Sequence, residues 1–71
     1  MVKTILKIDG MMCSMCEAHI NDVIRRNFDV KKVRADRKKK EAIIESKTPL
    51  DEGRLKSVID ATGYKLISIE R

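Results

Sequence analysis

At 71 residues and a net charge of +5, the chain has room for one small core, because a chain this short buries only about 60% of its unfolded surface. Hydrophobic content of 42% argues for a folded domain, 38% charged residues supply a soluble exterior, and with no Trp, one Tyr and one Phe the core must be aliphatic. No run reaches the ~18 apolar residues of a membrane span, and Met1-Val2-Lys3-Thr4 opens no secretion signal, so neither insertion nor export is expected.

Val2, Thr4, Leu6 and Ile8 alternate with Lys3 and Lys7, which predicts a first strand over 2–8 that Asp9-Gly10 breaks. From Ser14 the period lengthens to that of a helix, with Ile20, Val23 and Ile24 as its apolar stripe. Ser14 with Glu17 three residues on has the form of a capping box. Asn27 and Asp29 close this helix, with Phe28 tucked under its end. Val30 to Asp36 and Glu41 to Ser46 read as two strands of a hairpin around the polar turn Arg37-Lys38-Lys39-Lys40. A second helix opens at Thr48-Pro49-Leu50-Asp51, where either Thr48 or Asp51 serves as N-cap, and carries Leu55, Val58, Ile59 and Thr62. Gly63 suits the residue just past its end. Lys65 to Glu70, with Leu66, Ile67 and Ile69, forms a last strand. The order β-α-β-β-α-β, with each helix apolar on one side, predicts an α+β fold of the ferredoxin-like type. In it a four-stranded antiparallel sheet carries both helices on one face, as a single domain over 1–71.

The chain's two cysteines, Cys13 and Cys16, fall between the first strand and the first helix. A helix N-terminus presents free N–H groups and partial positive charge, which stabilise thiolates. Thiolate is both a soft-metal ligand and a redox nucleophile. Two cysteines three positions apart cannot staple distant elements, so a reducing, cytoplasmic setting is expected, where such a pair signals metal binding or catalysis. Cu(I) is satisfied by two or three sulfurs, whereas Zn(II) in structural sites takes four ligands. The sole histidine, His19, lies three residues past Cys16, either as an exposed surface residue or as one approaching a metal from the same helix side.

Positive charge gathers at Arg25-Arg26, Lys31-Lys32-Val33-Arg34 and Arg37 to Lys40. It reads as solvated helix and hairpin ends, or as a face that steers the domain to an acidic protein partner. Nucleic acid ranks last, since no aromatic platform is interleaved with the charges.

Gly10-Met11-x-Cys13-x-x-Cys16 followed by Ile20 resembles the heavy-metal-associated domain family, which includes bacterial copper chaperones and the N-terminal modules of metal-transporting P-type ATPases. The similarity continues at Val33, Ala42-x-Ile44, Leu55-x-x-x-Ile59 and Gly63-Tyr64, covering essentially the whole chain. The resemblance implies that Cys13 and Cys16 are the metal-binding thiolates and that Met11 anchors the loop by packing inward. It implies that Tyr64 sits near the metal as a shield, with a plain core-edge residue as the alternative, and that the Lys65 ammonium offsets the anionic complex. Met12 stands where the family most often has Thr. It is not acidic, which favours Cu(I) or Ag(I) over Zn(II), while Hg(II) stays open. Met12 and Met15 are flexible loop side chains or weak thioether contacts.

The resemblance implies transfer of the ion to a P-type ATPase or its metal-binding module by thiolate exchange, and no enzymatic activity. The chain is expected to be free-standing and monomeric, with a metal-bridged dimer and a regulatory module of a larger transporter as alternatives. A thiol-disulfide oxidoreductase is the rival from another class. The strand–helix order opposes it, as does Pro49, which precedes a helix instead of facing the cysteines.

Overall fold

The computed structural model describes residues 1–70 and has the elements β1 (Val2–Asp9), α1 (Ser14–Asn27), β2 (Lys32–Asp36), β3 (Glu41–Ser46), α2 (Glu52–Ala61) and β4 (Lys65–Glu70). All strand pairs are antiparallel, in the order β2-β3-β1-β4. Helix α1 packs on β2, α2 packs on β4, and the helices touch each other. This is the split βαβ arrangement expected from the element order. Among the described residues no helix is long and apolar enough to cross a membrane.

Alternation in β1 puts Thr4, Leu6 and Ile8 inward, and Leu6 and Ile8 join Ile20 and Ile24 of α1 and Leu55 and Ile59 of α2 in one aliphatic core. Val33, Ala35, Ala42 and Ile44 complete its sheet side. The hydroxyl of Thr4 is fully buried without a hydrogen-bond partner, and such a group costs about 1–3 kcal/mol. Thr4→Val keeps the branched shape and removes the orphaned hydroxyl. It is expected to raise the unfolding free energy by about 1 kcal/mol, measured by urea denaturation.

Helix α2 is capped by Asp51, whose carboxylate accepts from the backbone N–H groups of Gly53 (2.9 Å) and Arg54 (3.3 Å). Thr48 instead offers its carbonyl to the Ser46 hydroxyl at 2.7 Å. Gly63 follows the helix at φ +92, as a left-handed terminating residue.

Strand β2 begins two residues later than the sequence suggests, at Lys32. Val30 is occupied in packing against the core, although the Lys31 N–H still reaches the Glu45 carbonyl at 2.7 Å. As an edge strand, β2 presents backbone N–H groups that need partners. Two residues one turn apart on α1 serve this edge and the turn that follows it: Asn21 Oδ1 accepts from the Ala35 N–H (2.9 Å), and Glu17 Oε2 from the N–H of Arg37, just past the strand (2.7 Å). The basic turn after β2 is shaped by Asp36, whose side chain accepts from the Lys38 and Lys39 N–H groups.

Candidate metal centre

The first turn of α1 differs from the expected capping box. Cys13, not Ser14, is the N-cap residue, and no side chain caps the helix. Glu17 is drawn away because its carboxylate binds Arg37 twice, at the backbone N–H (2.7 Å) and at the guanidinium (3.1 Å). Helix α1 therefore starts without a side-chain cap: the Cys16 and Glu17 N–H groups donate to the Cys13 carbonyl (3.0 and 3.4 Å), and the positive end of the helix lies at the cysteine pair.

Both cysteines are free thiols, Cys13 exposed and Cys16 half-buried, with their sulfurs 3.7 Å apart. Their spacing follows from the local fold. The loop leaves β1 through Gly10 at φ +103, Met11 turns into the core at 7% exposure, and the chain then enters α1. Met11 thus fastens the loop from beneath while the sulfurs remain at the rim. Met12 and Met15 are 84% and 79% exposed, so neither helps hold the loop down. Among the described residues no third His, Cys, Asp or Glu joins the two sulfurs in a metal-binding group.

Tyr64 reaches the site from the turn between α2 and β4. It is half-buried and packs against the core beside Cys16, and its hydroxyl favours ionisation of the Cys16 thiol. Tyr64 is thus a core-edge residue, packed against the core from the turn that follows α2. Lys65 is exposed and pairs across the sheet with Asp9. His19 directs its ring at Tyr64, with centroids 5.8 Å apart and planes at 69°. The sequence offered no sign of that contact, since 45 positions separate the two residues.

The hydrogen bond from Tyr64 is the main reason that the Cys16 thiol is lowered to about 7; backbone hydrogen bonds at Met12 and Cys13 add to it. The same bond, together with burial, raises Tyr64. Because Cys16 ionises more readily in the fold than its ordinary value of 9.0, thiolate formation stabilises the folded state. That contribution is full above the unfolded value and is lost as pH falls through about 7. Tyr64→Phe is expected to move the Cys16 midpoint upward and to narrow this window. Site-resolved alkylation across pH measures it; an unmoved midpoint would refute the hydroxyl's role.

The sequence profile of the heavy-metal-associated domain family matches residues 5–65. No curated protein sequence matches the chain significantly. Among solved structures, a yeast copper transporter domain, Ccc2a, solved in apo and Cu(I)-loaded states, is 26% identical with a TM-score of 0.83, covering 97% of this chain and 94% of its own. The CopZ metallochaperone superposes with a TM-score of 0.83 at 16% identity, over 93% of this chain and 100% of its own. The N-terminal domain of ZntA in its Zn(II) form gives 0.80 at 18% identity, over 92% and 88%.

Proposed function

The chain belongs to the heavy-metal-associated domain family, and from that premise we propose that it is a carrier that binds one Cu(I) ion through Cys13 and Cys16 and passes it to a metal-transporting P-type ATPase or its metal-binding module. The observation that carries this reading is the pair of free sulfurs, 3.7 Å apart, at an uncapped helix N-terminus on the molecule's rim. Two thiolates satisfy a soft monovalent ion, and a site this open leaves room for a third sulfur. Ag(I) suits the same donors, whereas Zn(II) or Hg(II) transport is the alternative within the family.

The ion is cargo, and the work is exchange rather than catalysis. A thiolate of the partner attacks the bound ion, forms a third metal–sulfur bond, and one of the original bonds breaks. Cys13, the more exposed sulfur, is the one first displaced; Cys16, held by Tyr64, retains the ion until a second partner thiolate replaces it. Lys65, next to Tyr64, offsets part of the negative charge of the bis-thiolate complex. The basic turn comes close to this chemistry because Glu17, adjacent to Cys16, holds Arg37. Its exposed Lys38, Lys39 and Lys40 then favour an acidic partner surface, with attraction that weakens as salt rises. A reducing, cytoplasmic setting keeps both thiols available.

The test mixes Cu(I)-loaded protein with an acidic ATPase module that has its own Cys-x-x-Cys and follows both by NMR. Transfer that slows with added salt is expected. Absence of transfer at any ionic strength would overturn the proposal.

A further inference from the structure

Tyr64 is held from two sides. On one side, the Cβ that any other residue would carry at position 10 would lie 3.3 Å from Tyr64 Cδ1, so Gly10 lets the ring settle against the loop backbone. On the other side, the His19 ring meets Tyr64 at 69°, an edge-to-face contact of the kind aromatic rings prefer. Cys16 and His19 are three residues apart on α1 and so share a face of the helix. One rigid element thus presents both the sulfur whose ionisation the hydroxyl favours and the ring that meets Tyr64. His19 is exposed, so its contact with Tyr64 is not a by-product of core packing.

We propose that His19 is a positioning residue: with Gly10 it sets the Tyr64 ring so that the hydroxyl stays on Cys16, and it thereby slows release of the bound soft-metal ion. His19 acts through Tyr64 and is not itself a ligand. The proposal rests on the carrier reading above, in that the ion is held by the cysteine pair.

Two readouts separate the proposal from that reading. In the metal-free protein, Tyr64 is the sole tyrosine and there is no tryptophan, so near-ultraviolet emission reports on this ring alone. His19→Ala is expected to change that emission and the Tyr64 ring NMR shifts without lowering the melting temperature. In the Cu(I)-loaded protein, His19→Ala is expected to speed loss of Cu(I) to a competing chelator by about two- to ten-fold, the range an aromatic pair contributes. His19→Phe restores the edge contact and is expected to restore slow release. In a Tyr64→Phe background, His19→Ala is expected to have no further effect on release. An equal effect of His19→Ala with and without the Tyr64 hydroxyl would overturn the proposal, as would no effect in either. Failure of the wild-type chain to take up Cu(I) would instead defeat the carrier reading, while the metal-free signals would still show whether His19 orients Tyr64.

Discussion

Exchange of both Cys13 and Cys16 for serine is expected to abolish Cu(I) uptake while leaving the fold intact. The wild-type chain is expected to take up one ion in competition with a chelator. A serine hydroxyl stays protonated at neutral pH and is a hard donor, so it replaces neither the charge nor the softness of a thiolate. The fold survives because Cys13 is exposed, Cys16 lies at the core's edge, and α1 takes no side-chain cap from Cys13. Single variants are also expected to lose affinity, by more than the about 10–100-fold typical of losing an outer partner of a metal ligand. The single variants should differ in apo behaviour, since Cys16→Ser replaces the ionisable sulfur beside the Tyr64 hydroxyl with a neutral hydroxyl and Cys13→Ser leaves it. Chelator competition and circular dichroism on the three variants check this. Retention of stoichiometric Cu(I) by the double variant would show that the ion binds elsewhere.

The second large effect concerns the scaffold. Leu6 is fully buried in β1, between Ala42 on β3 and Ile69 on β4. Leu6→Ala removes that side chain from a strand fixed by neighbours on both edges, so collapse around the gap is limited. A loss of about 2–5 kcal/mol is expected. Domains of this size have roughly 4–11 kcal/mol in total, so much of the folded population is at risk. At about 3 kcal/mol the melting temperature falls by roughly 12–24 °C. Ile67→Ala is the control: Ile67 is 59% exposed, and its truncation should cost no more than about 0.5 kcal/mol. Comparable losses from the two variants in thermal denaturation would contradict the assigned core.

That contrast also marks where reading the sequence stopped. Leu66, Ile67 and Ile69 look alike as apolar residues of a last strand, and simple alternation cannot bring Leu66 and Ile69 to one face. The structure does so because the β1–β4 register shifts at Lys7/Ile8: Ser68 pairs with Lys7 and Leu66 with Ile8, which leaves Ile67 as an extra residue on β4. Ile67 is thereby turned outward, while Leu66 and Ile69 both pack against the core. Glu17 gives a parallel case. Its spacing from Ser14 suits a local cap, but the Arg37 backbone N–H in the turn after β2 and the Arg37 guanidinium together are the stronger attraction.

What the sequence determined by itself is whatever depends on short spacing. Period-two and period-3.6 apolar patterns specify the six elements in order, and Met11, Cys13 and Cys16 all fall in the short link between the first strand and the start of the first helix. Tyr64 beside the cysteines was legible only through the family resemblance, and the tertiary structure alone decided the contacts around it: His19 on Tyr64, and Arg37 on Glu17. These contacts join residues far apart in the chain, and they exist only because the core brings the α2–β4 turn and the β2–β3 turn to the first turn of α1. Local periodicity reports which face of an element is buried; it has no information about which distant polar group that burial will bring into reach.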